Sequence, residues 1–367
     1  MRRGIVNLPL HYGKAPAWLF ERMTALAREI TRALVMEFSP VEVLRRLSDP
    51  FWFQAFGCLL GFDWHSSGIT TTVCGALKEG LRGLEGETGI FCAGGKGKTS
   101  RHTPQEIEKH CDSLTAEPAS LIYASRMAAK VDSSALQDGY QIYHHIFVFT
   151  SKREWCVIQQ GMNADTRYAR RYHWLSEGVT DFVCEPHAAI CCDTRGQVLN
   201  MVAEESQAAR ASVAALAREE PGRVIAEANR IAGLELPRRH HITPGDLNTR
   251  HLHKVLLKTY EQGPQTFEAV LGIAGVGPKT IRALSLMSEL IYGEEPSFQD
   301  PARFSFAHGG KDGHPYPVDC STYDRTIDYL KKGLWAARVG HSEKLKAMKR
   351  LNSFYTSTQV KKAIHER

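Results

Sequence analysis

The residues with the clearest chemical potential lie in a glycine turn between two amphipathic segments. Residues 267–290 read FEAVLGIAGVGPKTIRALSLMSEL, which predicts two helices joined by GIAGVG. Glycine allows so tight a turn because it alone takes a positive φ without steric cost. Pro278 predicts the first residue of the second helix, whose free amides attract anions. The pattern therefore predicts DNA binding through backbone phosphates, without base reading. The residues predicted to contact DNA are Gly275, Gly277, Lys279 and Thr280.

This turn resembles the helix-hairpin-helix motif, and the residues after it resemble base-excision glycosylases of the endonuclease III superfamily. The matching segment is PVDCSTYDR at 317–325. The resemblance implies that Lys279 is an amine nucleophile and an AP lyase residue, and that Asp319 stabilises the positive charge that develops on the sugar. It also implies that the target base is flipped out of the duplex. Two features depart from the family: a longer polar loop before Asp319, and no cysteine after Cys320 for an iron–sulfur loop. A phosphate contact for Lys279 and a helix cap for Asp319 remain the alternatives.

The segment CAGGKGKTS at 92–100 is similar to a nucleotide-binding P-loop but does not fulfil its pattern. Cys92 occupies the position of the first glycine, and the next helix is predicted only from Thr103, with Glu106 completing a capping box. We therefore predict that the protein does not use ATP. The segment is instead expected to be a flexible loop that makes a second contact with DNA phosphates, through Lys96, Lys98 and Arg101.

A second candidate site lies in the first half of the chain, where polar residues follow the predicted strands. Such a set is compatible with a phosphodiester-cleaving nuclease, which would require a divalent metal held by carboxylates. Strand alternation places adjacent residues such as His144 and His145 on opposite faces of a sheet. The nearby carboxylates fit no nuclease signature. The candidate residues are His144, His145, Gln159, Gln160, Arg170, Arg171, His173, Glu185 and His187.

Cysteine and histidine residues at 184–192 have a spacing that could suggest zinc. The segment CEPHAAICC lacks a separate second half of the kind that zinc sites use, so buried thiols are the preferred interpretation. No metal site is predicted, and no cofactor is expected unless the nuclease alternative holds.

The elements around these residues predict an α+β protein. Apolar spacing predicts a helix from Trp18 to Phe38, and two β-rich runs, 140–150 and 155–160, predict a hairpin. From about residue 201 the pattern is helical. We predict a mixed α/β domain over residues 1–200 that contains the central hairpin and the GGKGK loop. An all-α helix-hairpin-helix domain over 201–330 and a basic helical arm over 331–367 follow.

Composition and charge limit the class of protein. The chain has 43% hydrophobic and 23% charged residues, no apolar run long enough to span a bilayer, and nine scattered cysteines. These features predict a cytoplasmic protein without a membrane partner. Residues 331–367 carry ten Lys and Arg against two Glu. Their local charge of +8 exceeds the net charge of the whole chain, which is +6. This asymmetry favours a nucleic-acid partner and a nucleoid-associated location. The oligomeric state is not indicated.

Over almost its full length the chain also resembles a prokaryotic family known only as a domain of unknown function. The segments that carry this resemblance are LPLHYG, WHSSGITTT, GGKGK, QQGMN and RRYHW. Three classes of function therefore remain open. They are a DNA repair glycosylase and AP lyase, a metal-dependent nuclease with its site in the first domain, and a DNA-binding protein without catalysis.

Overall fold

Helices form most of the protein, and a small antiparallel sheet lies among them, which confirms the α+β class. The computed structural model describes residues 15–62, 67–115, 117–192, 195–232, 249–302 and 320–351. The helices are α1 (Ala17–Glu37), α2 (Pro40–Ser48), α3 (Pro50–Leu60), α4 (Gly68–Leu81), α5 (Glu85–Thr88), α6 (Thr103–Glu108), α7 (Pro118–Lys130), α8 (Gln207–Leu216), α9 (Pro221–Ala232), α10 (Thr249–Gln262), α11 (Phe267–Gly272), α12 (Pro278–Met287) and α13 (Cys320–Ala336). Residues 341–351 form a further helical segment.

The strands are β1 (Ile90–Lys96), β2 (Leu136–Gln137), β3 (Gln141–Thr150), β4 (Trp155–Met162), β5 (Ala169–Leu175), β6 (Ala189–Cys191) and β7 (Leu199–Asn200). Five of them form one sheet in the order β1-β3-β4-β5-β6, with every pair antiparallel. The predicted hairpin is confirmed, since β3 and β4 are joined by a tight turn at 151–154. The two shortest strands, β2 and β7, pair separately.

Each side of the five-stranded sheet is covered by helices. Face A carries Ile146, Val148 and Ile158, which pack into a core with the helices α1 to α4. Face B carries Phe147 and Val157, whose core continues through the helices α7 to α12. Both faces are therefore buried, and polar residues on either face must find partners inside the protein. The face B core crosses residue 200 without a break, and the domain division predicted there stays a prediction.

The helix α3 illustrates how the sequence builds the face A core. Its segment PFWFQAFGCLL is apolar on all sides, as expected for a central helix, and all eleven residues are buried. Asp49 caps it, since its Oδ1 accepts from the amides of Phe51 at 2.8 Å and Trp52 at 3.2 Å. The helix ends at Gly61, whose φ of +107° favours glycine.

The C-terminal helices pack against the first ones. Leu330 and Leu334 of α13 are buried in the face A core together with Ile30 and Leu34 of α1. Gly333 allows this close crossing, since a Cβ there would lie 2.9 Å from Leu34 Cδ2. The helical segment 341–351 also contributes to this core. Part of the predicted basic arm, up to residue 351, therefore lies against the N-terminal helices, while residues 352–367 lie outside the described residues.

Candidate functional site: a glycine hairpin beside a pocket

The glycine turn joins two helices, as the sequence predicts. The helix α11 begins after Thr266, whose Oγ1 accepts from the amide of Ala269 at 3.2 Å. In the turn, Gly275 has a φ of +101°, a conformation that other residues rarely adopt. The amide of Ile281 donates to Gly277 O at 3.0 Å and closes the first turn of α12. The preceding amides of α12 therefore have no carbonyl partner within the helix, and they form the kind of anion site found at a helix N-terminus.

Three side chains from the sheet side hold this hairpin in place. Lys130 Nζ donates to Val276 O at 2.5 Å, and Gln137 Nε2 donates to Pro278 O at 2.9 Å. The Tyr123 hydroxyl bonds to the carboxylate of Glu268 on α11. Partial burial lowers the pKa of Lys130. The turn is thus fixed by bonds from α7 and β2 to its own backbone.

The predicted contact residues of the hairpin differ in exposure. Gly275 and Lys279 are exposed and Gly277 is half-buried, whereas the side chain of Thr280 is buried. Thr280 can therefore reach an anion only through its amide. Asp319 lies outside the described residues.

A pocket of about 250 Å³ adjoins α12. Positions 279, 282 and 286 are spaced to share one face of a helix, so Lys279 lies one turn before Arg282 and two turns before Leu286, both of which line the pocket. The opposite wall comes from the end of β2 and from β7. The pocket is lined by Gln137, Asp138, Gly139, Gln197, Val198, Leu199, Arg282, Ser285, Leu286, Glu289, Pro296 and Phe298.

The GGKGK segment is a strand end followed by a 3-10 turn over Gly97–His102. Its cationic residues Lys96, Lys98 and Arg101 are exposed. The predicted capping box is wrong, because Thr103 is already helical and makes no side-chain cap. Glu106 Oε2 instead accepts from the amide of Gly94 at 2.6 Å and from Lys78 Nζ at 2.6 Å. These partners are distant in sequence, and they tie α6 to β1 and α4.

On face B, the buried carboxylate of Asp132 organises a polar network. It lies in a π-helical turn, Val131–Ala135, at the end of α7. It accepts from Trp174 Nε1 at 2.9 Å and bonds to Gln159 Nε2 and His187 Nε2, each at 2.5 Å. Gln159 Oε1 in turn lies 3.0 Å from the Nδ1 of His145. Beyond these residues, His145 Nε2 lies 2.9 Å from Ser125 Oγ, and burial lowers the pKa of His145.

A second buried cluster on face B surrounds Arg170, which is only 1% exposed. Its guanidinium donates to Asp138 Oδ2 at 3.0 Å and to Asp300 Oδ2 at 2.7 Å. Tyr172 also donates to Asp138, at 2.6 Å. Burial raises the pKa of Asp138, and the nearby Arg170 opposes that shift. Since Asp138 also lines the pocket, this cluster fixes one of its walls.

Face A carries the other half of the predicted polar set. Arg171 donates to His173 Nε2 at 2.9 Å and to Gln54 Oε1 at 3.2 Å. Gln160 Nε2 donates to Ser67 O at 2.9 Å. Among the described residues, neither ring nitrogen of His144 has a hydrogen-bond partner, nor does Gln160 Oε1. Burial, with smaller contributions from His145 and Lys96, lowers the pKa of His144 to about 3.

The structure therefore divides the second candidate site between two faces of a buried sheet. His145, Gln159 and Arg170 lie on face B, whereas His144 and Gln160, with Arg171 and His173, lie on face A. Glu185 is exposed and has a positive φ. Within the described ranges, no group of three His, Cys, Asp or Glu residues is placed to hold a metal ion. Of the three thiols expected to be buried, Cys191 and Cys192 are buried and Cys184 is half-buried.

Several residues of these clusters carry no signal in the sequence. Asp132, Asp300 and Arg282 reach their partners across separations of 27 to 145 residues, so no local spacing reveals them. The π-helical turn that holds Asp132 has no recognisable motif. Only the Gln-Gln and Arg-Arg pairs on neighbouring strands indicate that both sheet faces carry polar partners.

Comparison with known proteins gives a family for the chain but no activity. Residues 4–318 match the family model described as "Protein of unknown function (DUF763)". Neither the curated proteins nor the solved structures give a match. No helix in the described part of the chain is long and apolar enough to cross a membrane. Since the match covers most of the chain, the protein belongs to the DUF763 family, proteins of unknown function.

Proposed function

We propose that this protein binds the DNA backbone through the hairpin between α11 and α12, and that it acts in DNA repair as a base-excision glycosylase and AP lyase. The observation that carries the proposal is the hairpin itself. It combines an exposed Gly275 with positive φ, the free amides at the start of α12, and the exposed cation Lys279. Such an arrangement suits a phosphate oxygen and reads no base.

The position of Lys279 supports the lyase part of the proposal. It lies in the first turn of α12, on the helix face that lines the pocket one turn further on. In the proposed reaction the neutral Nζ amine bonds to C1′ while the glycosidic bond breaks; the electron pair of that bond leaves with the base, which takes up the first proton that Nζ loses. The C1′–O4′ bond of the sugar ring then breaks, O4′ takes up the second Nζ proton, and an imine (Schiff base) between Nζ and C1′ results. Asp319 is proposed to stabilise the positive charge on the sugar.

The metal-dependent nuclease alternative has less support. Its candidate residues are buried on two faces of the sheet, and those on face B already satisfy one another. A hard divalent ion prefers several accessible carboxylate oxygens. Asp138 and Asp300 instead share Arg170 between them.

The DNA-binding part can be tested by salt titration of the affinity for a short labelled duplex. Each lysine–phosphate contact contributes about 0.9 to the slope of log affinity against log salt. Lys279→Gln should lower the slope by about that amount, with equal loss on all sequences. Lys152→Gln, an exposed lysine in the β3–β4 turn, serves as the matched control and should leave the slope unchanged. Equal slopes for the wild type and both variants would remove the hairpin lysine from the proposed interface.

A further inference from the structure

We infer that the pocket beside α12 binds a single nucleotide unit, with its phosphate on Arg282 and its base against the apolar wall. This inference rests on the proposed function and names the ligand that the neighbouring pocket takes. Two observations beyond the glycine turn and Lys279 carry it: the orientation of Arg282, and the distribution of apolar and charged groups around the pocket.

Arg282 is held in one orientation by a side chain that is itself fully engaged. Its Nε donates to Gln137 Oε1 at 2.8 Å, while Gln137 Nε2 donates to Ser134 O at 3.0 Å and to Pro278 O at 2.9 Å. The amide orientation of Gln137 is therefore fixed by two backbone carbonyls. Gln137 is therefore a positioning residue: by accepting from Nε it fixes the plane of the Arg282 guanidinium at the pocket wall.

The guanidinium of Arg282 retains donors for a ligand. Within the part of the chain that the structure describes, its Nη atoms make no hydrogen bond and no ion pair with a carboxylate. Arg170, which lies behind the pocket wall formed by Asp138, is by contrast paired with two aspartates. A half-buried arginine with two free Nη groups suits a phosphate, which accepts from both in a forked geometry.

The rest of the pocket suits a base and fixes the direction of the ligand. Leu199, Leu286 and Phe298 form an apolar surface, and the ring of Phe298 can stack against a base. Of the two lining carboxylates, Asp138 is paired with Arg170, and Glu289 lies in the π-helical turn Ser288–Tyr292 that follows α12, at the end of the pocket away from the hairpin. The phosphate therefore belongs at the Arg282 end, close to Lys279. The volume of about 250 Å³ lies just under the usual range for small-molecule pockets, so the pocket has room for no more than one nucleotide unit.

The nucleotide could come from a flipped position in a DNA strand or from a free mononucleotide, since both present the same phosphate and base. Calorimetric titration with deoxyadenosine monophosphate, deoxyadenosine and inorganic phosphate tests the shared chemistry. We expect the monophosphate to bind at least about tenfold more tightly than the nucleoside, because one charge-assisted hydrogen bond to the phosphate gives a gain in affinity of about that size. Arg282→Gln should lower the affinity for the monophosphate to that for the nucleoside, and it should leave the affinity for the nucleoside unchanged.

Two further variants separate this role from a structural one. Gln137→Leu should weaken binding of the monophosphate severalfold, because Arg282 loses its orientation. Arg282→Lys should keep part of the affinity that Arg282→Gln loses. Arg230→Gln, which removes an exposed arginine elsewhere, is the matched control and should have no effect. Thermal midpoints for each variant show whether the fold is kept. Equal affinity for monophosphate and nucleoside, or wild-type binding by Arg282→Gln, would overturn the inference, as would the absence of binding by both ligands.

Strand and free nucleotide are distinguished by competition against a duplex that carries one unpaired nucleotide. If the duplex displaces the monophosphate in the wild type, the pocket accepts a nucleotide from a strand; if not, it accepts the free mononucleotide. Failure of the proposed function gives a different pattern. In that case no duplex binds through the hairpin, while monophosphate binding and its dependence on Arg282 persist.

Discussion

Substitution of Gly275 tests the proposed DNA contact most directly. Its φ of +101° is strained for any residue with a Cβ, but a Cβ there would meet only Val255 Cγ2, at 3.7 Å, an ordinary contact. The effect of Gly275→Ala is therefore restricted to backbone strain of about 1–3 kcal/mol. A protein stable by about 5–15 kcal/mol remains folded under this strain.

The strain must appear either in stability or in DNA affinity. If the turn keeps its shape, the thermal midpoint falls by a few degrees and DNA binding is preserved. If the turn relaxes, DNA must restore it, and the affinity falls by about 5-fold to 150-fold. The two losses, measured by calorimetry and by fluorescence anisotropy on a labelled duplex, should together account for the same 1–3 kcal/mol.

Gly272→Ala is the control within the same hairpin. Gly272 has no positive φ, and a Cβ there would meet nothing within 4 Å. Alanine at this position should leave DNA binding unchanged and slightly favour the helix α11. The reasoning would be refuted if Gly275→Ala matched the wild type in both assays, or if both alanine variants lost affinity equally.

Three further outcomes are expected. Asp132→Ala removes the acceptor of three buried donors and should lower the free energy of unfolding in urea by about 3–6 kcal/mol; a loss below 1 kcal/mol would show that water replaces the carboxylate. His144 has a folded pKa of about 3, below its ordinary 6.5, so the unfolded state binds the extra proton and stability falls as the pH drops from 6.5 towards 3. The loss for this residue reaches roughly 5 kcal/mol; His144→Phe should remove that part of the pH dependence and, by deleting unpaired buried nitrogens, raise stability near pH 7. Borohydride in EDTA should trap the wild type, but not Lys279→Ala, on a duplex with an abasic site; trapping by both would exclude Lys279 as the nucleophile.

Much of the fold can be predicted from local patterns. The first helix, the β3–β4 hairpin and the glycine turn follow from apolar spacing, β-branched runs and glycine content. Strand alternation also separates His144 from His145 correctly, since one lies on each sheet face.

The rest depends on long-range partners that no local pattern contains. Glu106 fits a capping box by spacing, yet it bonds to Gly94 and Lys78 because the fold brings them closer. The high net charge of residues 331–367 gives no indication that α13 packs an apolar face into the core. The pocket combines segments near residues 138, 198 and 286, so its existence could not be seen before the chain is folded.

The packing of α13 against α1 has a consequence for biosynthesis. Ile30 and Leu34 share their core with Leu330 and Leu334, which lie about three hundred residues later in the chain. During translation the helix α1 must therefore keep an apolar face uncovered until α13 has left the ribosome. Closing so large a loop is slow, and exposed apolar surface favours aggregation. Ribosome-bound fragments that end before α13 should accordingly depend on chaperones, and release of the last helices should end that dependence.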